Sequence, residues 1–290
     1  MFYGAYTAIV TPFRADGSVD YEKLHALIDI QARAGIDGIV PVGTTGESPT
    51  LNYEEHRKVI LVAAEAARGR MKVIAGTGAN STAEAVELTR YAIEAGADAT
   101  LQVTPYYNKP NAEGLVRHFM TVADLGLPVV LYNVPSRTGR DMTADVVVRL
   151  AQHPNIVGLK EAAGSVDRVT QILTRCNITI LSGDDALTLP MMAVGAKGVI
   201  SVASNVAPGM VANMVHHALN DEWEEARALH FKLHRLFTDL FIDTNPIPVK
   251  AAMNMMGLIE DVYRLPLCPM AENLKETLRQ TLKATGLLPA

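Results

Sequence analysis

Residues 156–160 read Ile156-Val157-Gly158-Leu159-Lys160, a short apolar run closed by a lysine. A continuous run without polar alternation suits a strand buried on both faces, and such strands belong to parallel sheets covered by helices. Comparable Val- and Ile-rich runs lie on either side of it, at 6–10, 38–42, 72–75, 99–103, 128–132, 178–182 and 198–202. Between them the period changes to that of amphipathic helices. Leu24, Leu27 and Ile28 repeat at i, i+3, i+4 behind Asp20, a residue suited to an N-cap. The stretch 81–95 opens on Ser81-Thr82-Ala83-Glu84, the spacing of a capping box, and stops at Gly96. Ala34-Gly35 and Val194-Gly195 mark helix ends in the same way.

Eight such strand-and-helix units fill residues 5–220, the number and phase of an α/β protein of the (β/α)8 TIM-barrel class. An open doubly wound sheet competes, but it would more often carry a Gly-rich dinucleotide loop, and neither GxGxxG nor GxxxxGK[ST] occurs. After Glu222 the strand-like runs cease, and 224–243, 246–256 and 271–285 read as helices. The expected organisation is a catalytic barrel over residues 1–222 and a C-terminal helical appendage over 223–290.

The bulk properties fit this picture. The 290 residues carry 49% hydrophobic and 20% charged side chains with a net charge of −5. This balance gives no electrostatic case for nucleic acid or an anionic membrane. No apolar stretch reaches the ~18 residues a bilayer span needs, and the first residues lack a signal-peptide pattern. Cys176 and Cys268 lie far apart, which argues against a disulfide framework or a cysteine zinc site and for a reducing, cytoplasmic setting. The adjacent His216 and His217 read as a solvated helix face rather than metal ligands.

In a βα barrel functional groups gather at the C-terminal ends of the strands. Of the ten lysines only Lys160 closes a strand at that end; Lys72 and Lys197 open or precede theirs, and most others fall on helices or loops. Burial disfavours an ammonium, and the free amine attacks carbonyls to form a Schiff base. The alternative is a lysine whose stem covers apolar surface while its head reaches water. Strand two ends in Gly43-Thr44-Thr45-Gly46-Glu47-Ser48, whose amides could hold a small carboxylate, or which is an ordinary Gly-rich turn. Strand four leads into Tyr106 and Tyr107, catalytic or interface aromatics. Strand five ends in Tyr132 and Arg137, a proton carrier and a bidentate carboxylate clamp, or a satisfied core tyrosine beside a solvated arginine. Asp184 and Asp185 close strand seven and read as caps of the next helix. Glu161, by strand alternation, faces away from Lys160.

Gly43-Thr44-Thr45-Gly46-Glu47-Ser48, Tyr132-Asn133-Val134-Pro135-Ser136-Arg137-Thr138-Gly139 and Gly158-Leu159-Lys160-Glu161 together resemble the dihydrodipicolinate synthase family. That family lies within the pyruvate-dependent aldolases, which include N-acetylneuraminate lyase, and the resemblance covers nearly the whole chain. It implies condensation of pyruvate with L-aspartate 4-semialdehyde on the diaminopimelate route to lysine, with no metal or organic cofactor. Lys160 matches the Schiff-base lysine. Thr44, Tyr107 and Tyr132 match a proton relay, with Tyr107 reaching in from a neighbouring subunit of a homotetramer built as a dimer of dimers. Thr45 matches a pyruvate-carboxylate contact, Arg137 the semialdehyde-carboxylate clamp, and Gly183 and Ile200 positions lining the pocket through backbone groups. Ser48, His56, Asn80, Glu84 and Tyr106 match a lysine-inhibition site of some members, although Pro49 and Tyr53 depart from residues common there. The rival readings are a related aldolase acting on N-acetylneuraminate or a sugar-derived keto acid, and a non-catalytic metabolite-binding barrel.

Overall fold

The computed structural model describes residues 2–289. Eight strands, β1 (Gly4–Thr7), β2 (Gly38–Ile39), β3 (Lys72–Gly76), β4 (Ala99–Val103), β5 (Val129–Asn133), β6 (Ile156–Glu161), β7 (Thr179–Ser182) and β8 (Gly198–Ser201), form a closed barrel in sequence order. Every pairing is parallel, and β1 closes the ring on β8 with Gly4 opposite Gly198. The seam needs glycine: Gly198 has φ 143°, and a Cβ there would sit 1.9 Å from the Gly4 carbonyl oxygen.

The continuous apolar runs arise because both strand faces are buried. Residues such as Val40, Ile74, Leu101, Val130 and Leu181 fill the barrel interior, while Ile39, Val73, Leu131, Leu159 and Ile180 meet the helices outside. The runs overshoot where apolar sequence continues into buried loops. Pairing in β1 ends at Thr7 although Ile9 and Val10 are buried, and β2 ends at Ile39 although Val40 and Val42 are buried.

The helix signals hold with two exceptions. Asp20 accepts from the Lys23 amide and caps Tyr21–Arg33 as expected. Ser81 does precede helix Thr82–Glu94, but its side chain makes no capping bond, so the box is spacing without the interaction. Asp184 caps a short 3₁₀ turn, accepting from the Ala186 amide. Asp185 does not cap; it is buried and accepts from the amides of Val202 and Ala203, tying the end of β7 to that of β8.

Past the last barrel helix, Pro208–Leu219, the chain forms helices Trp223–Asp239, Ile247–Met255 and Glu272–Thr285. The first packs along Pro208–Leu219. The second reaches the loop after β2 through buried polar contacts: Asn245 Nδ2 donates to Thr45 Oγ1 at 3.0 Å, and Lys250 pairs with Glu47. Among the described residues no helix is long and apolar enough to cross a membrane.

Candidate active site

An irregularity in β6 decides which way Lys160 faces. Val129 pairs with Ile156, but Val130 pairs with Gly158, so Val157 is an extra residue. Ile156 and Leu159, three apart, both face the outer helices, which an unbroken strand cannot arrange. The bulge resets the parity, bringing Lys160 level with Tyr132 and turning it into the barrel, as bulges beside functional sites do. The Lys160 ammonium lies 4.3 Å from the centroid of the Tyr132 ring, and both residues are buried. Glu161 therefore faces outward, as alternation predicts. It is buried there and accepts from Arg168 Nε at 2.7 Å, Asn133 Nδ2 at 3.1 Å and the Ala163 amide at 2.9 Å. Burial pushes its carboxyl upward while Arg168 pulls it down.

At the C-terminal mouth of the barrel, Lys160, Tyr132, Thr44, Thr45, Arg137 and Gly183 line one cavity of about 260 Å³. A second lobe of about 220 Å³ shares Thr44, Tyr132 and Arg137 and runs past Leu101 and Val103 to Ser48 and Tyr106. Gly183 belongs there for lack of room: a Cβ at that position would lie 2.9 Å from Lys160 Cε and 2.8 Å from Ala162 Cβ. Ile200 is not among the residues that line either lobe; its side chain is buried in the interior cluster, and Val202 lines the cavity after β8.

The loop after β2 is a structured cradle rather than an ordinary turn. The amides of Gly46 and Ser48 donate to the Gly43 carbonyl, and that of Glu47 to Thr44. Among the described residues the amides of Thr44 and Thr45 donate to nothing within the chain, so two backbone donors remain beside Lys160 for an anion. Arg137, on the short helix Pro135–Thr138, donates to the Asn245 carbonyl at 3.1 Å.

Besides Ile200, two expected site residues, Tyr107 and Asn80, stand apart. Tyr107 is 89% exposed and held at φ 67°. It lines neither lobe within its own chain. Among the described residues no hydrogen bond joins Thr44 to Tyr132, so the relay that the resemblance implies is not joined within the single chain. Ser48, His56, Glu84 and Tyr106 do meet, around a cleft of about 220 Å³ that adjoins the second lobe at Ser48, Pro49 and Tyr106 and that Tyr53 also lines. Burial and the Glu84 carboxylate both push the phenols of Tyr53 and Tyr106 upward. His56 bonds the Gly76 carbonyl through Nε2, and burial lowers its pKa. Asn80 does not line this cleft; its carbonyl accepts from Asn108.

The sequence profile of the dihydrodipicolinate synthetase family matches residues 1–285. The chain belongs to this family. It is 52% identical to the 4-hydroxy-tetrahydrodipicolinate synthase of Geobacter sulfurreducens, across 99% of this chain and 100% of that one. Its fold overlays the Acinetobacter baumannii dihydrodipicolinate synthase complexed with pyruvate at a TM-score of 0.97, with 46% identity over 99% of this chain and 100% of that one. The Cyanidioschyzon merolae enzyme with lysine bound overlays at 0.96, with 42% identity over 99% of each chain.

For a dihydrodipicolinate synthetase family member, two features of the site were not legible from its motifs. Asn245 lines the catalytic cavity and touches both Thr45 and Arg137, yet it stands in Asp243-Thr244-Asn245-Pro246, which carries no local signal. Lys250 lies in Ile247-Pro248-Val249-Lys250-Ala251-Ala252, an apolar setting like that of Lys160. It sits on a helix, away from the strand ends where functional groups of a barrel gather.

Proposed function

We propose that this cavity condenses pyruvate with L-aspartate 4-semialdehyde through an imine on Lys160. The activity is that of a 4-hydroxy-tetrahydrodipicolinate synthase, a class I pyruvate-dependent lyase acting in lysine biosynthesis. The observation that carries the residue assignment is the pairing of Lys160 with Tyr132 across adjacent strands, inside the barrel and at its C-terminal mouth.

The Lys160 amine adds to the pyruvate carbonyl, and loss of water gives the imine. The free amides of Thr44 and Thr45 supply donors for the pyruvate carboxylate. Once protonated, the imine is an electron sink, so the methyl group releases a proton and becomes an enamine. A phenol with an ordinary pKa of ~10 is a poor base alone and needs a hydroxyl chain; Tyr132, Thr44 and Tyr107 of a partner subunit form that chain. The exposure of Tyr107 in the single chain suits such a crossing, and with it a dimer repeated in a homotetramer. The enamine carbon attacks the aldehyde while Arg137 holds the semialdehyde's carboxylate in its planar fork. The substrate amine then adds to the imine carbon, the ring closes, and Lys160 leaves as free amine. Free Cys176 and Cys268 suit a cytoplasmic, reducing setting.

Borohydride reduction with pyruvate, read by intact mass and peptide mapping, tests the nucleophile. A pyruvate-dependent adduct on Lys160, absent from Lys160→Ala, is expected; none, or one on another lysine, overturns the mechanism. Turnover of aspartate semialdehyde and not N-acetylneuraminate separates the substrate from that of the related lyase. For the Glu84 cleft we propose lysine as the inhibitory ligand, its ammonium against the carboxylate. Lysine should then slow the parent enzyme but not Glu84→Gln.

A further inference from the structure

Lys250 and Glu47 form a fully buried ion pair, each side chain 0% exposed, between helix Ile247–Met255 and the loop that presents Thr44 and Thr45. The Lys250 ammonium also sits 4.2 Å from the Phe13 ring centroid and 5.1 Å from that of Tyr263. On the other side of the pair, Glu47 Oε2 accepts from the Arg264 amide at 3.5 Å, and its carbonyl accepts from Thr50 Oγ1 at 3.0 Å. Burial pulls the Lys250 ammonium down while the Glu47 carboxylate opposes it.

Stability alone is a poor reason for such a pair. Taking two charges out of water costs about what their attraction returns, and neutral residues of similar size would pack there at no loss. The location suggests another role. The four residues 43–46 are bracketed by Val42 at φ 50° and Glu47 at φ 54°, both left-handed and neither glycine. A β-branched residue in that region is an outlier, and such strain persists only where the surroundings impose it. At Glu47 the local partners are Thr44 and Thr50, and the carboxylate's charged and amide partners, Lys250 and Arg264, both come from beyond the barrel. The same C-terminal segment supplies Asn245, bonded to Thr45 and to Arg137.

We propose that Lys250 is a positioning residue for the condensation. Through Glu47 it holds the Thr44–Thr45 segment at the geometry that receives the pyruvate carboxylate and the relayed proton, and this makes the C-terminal helices a working part of the active site. The proposal rests on the assignment of Lys160, Thr44 and Thr45 above.

The test compares the parent, Lys250→Met and the double variant Glu47→Gln with Lys250→Met, each as the full chain. In Lys250→Met an unpaired carboxylate stays buried; the protein should melt lower, kcat should fall about 10- to 100-fold, and KM for pyruvate should rise. KM for aspartate semialdehyde should stay close to the parent value, since Arg137 is held by the Asn245 backbone. In the double variant both charges are gone. Its melting temperature should return towards the parent's while the loss in kcat persists. A double variant that recovers turnover together with stability overturns the proposal by making the pair merely structural. A double variant that does not fold overturns it as well, because the pair would then be needed for stability. Failure of the parent to form a borohydride-trapped pyruvate adduct would instead remove the underlying assignment, whatever the variants do.

Discussion

Gly183→Ala probes the tolerance of the position of Lys160, the proposed nucleophile, with a single methyl group. Gly183 does not lie among the positive-φ glycines, so the alanine backbone is unstrained there and the whole effect is steric. The added Cβ would sit 2.9 Å from Lys160 Cε, 3.2 Å from Lys160 Cγ and 2.8 Å from Ala162 Cβ. Carbon atoms rest at about 3.5–4.0 Å, so Lys160 Cε must retreat by roughly 0.6–1.1 Å or leave its rotamer. Ala162 is part of backbone following β6 and yields less readily than the end of a lysine chain. Overpacking of this size costs roughly 1–3 kcal/mol, and a displacement near 1 Å of a reacting group costs about 10²-fold in rate. We therefore expect kcat and the rate of pyruvate-dependent borohydride trapping to fall about 100-fold together, with a cooperative fold retained. Stopped-time trapping read by intact mass follows the imine, and coupled turnover follows the product. A variant that traps pyruvate at the parent rate would refute the reasoning, since it would show that the Lys160 chain absorbs the methyl without losing its place.

Three further outcomes follow from other parts of the structure. Tyr107→Phe and Lys160→Ala should each be inactive, but mixing them under subunit exchange should restore roughly a quarter of the sites, since each mixed pair holds one complete relay; no recovery would return Tyr107 to its own subunit. Arg168→Met leaves Glu161 buried without its cation and should cost about 3–5 kcal/mol, a fall of roughly 10 °C in melting temperature by calorimetry; a fall near zero would show that Asn133 and the Ala163 amide suffice. Burial pushes His118 down to about 4. The unfolded chain therefore takes up a proton near pH 6.5 that the folded chain refuses, and stability is present above that pH and lost as pH falls towards 4. The loss amounts to about 3 kcal/mol, and between pH 7.5 and pH 4 the stability from urea unfolding should fall by that much more in the parent than in His118→Gln.

The barrel was legible because parallel strands buried on both faces leave an unmistakable trace, eight apolar runs separated by helical periods. The same property hid their limits and their facing. A run without polar alternation carries no parity, so nothing in Ile156-Val157-Gly158-Leu159 marks Val157 as the extra residue that turns Lys160 inward. Lys160 itself stood out as a charge at the end of such a run. Lys250 offered the same contrast on a helix, but its meaning depends on Glu47, 203 residues away in sequence. Long-range pairs of this kind leave no local pattern. The Ser81 box shows the converse error, a correct spacing whose side chain is not used.

The site divides its tasks between two kinds of support. Lys160 and Tyr132, the groups proposed to make and break bonds, stand on adjacent strands of a closed barrel, where backbone pairing and packing on both faces fix them. Thr44, Thr45, Arg137 and Tyr107 stand on loops or a single helical turn, where the chain is free to approach a carboxylate or a partner subunit but only a few turn hydrogen bonds fix it locally. A mechanism in which the imine, the proton donor and two carboxylates must coincide cannot leave half of its groups loosely held, since errors near 1 Å cost orders of magnitude in rate. The structure meets this requirement from outside the barrel. Asn245 bridges Thr45 and Arg137, and Lys250 secures Glu47 at the strained end of the cradle. A barrel of eight strands is complete without helices Trp223–Asp239, Ile247–Met255 and Glu272–Thr285. Its catalytic loops are not, and this gives the C-terminal helices a physical reason to sit where they do.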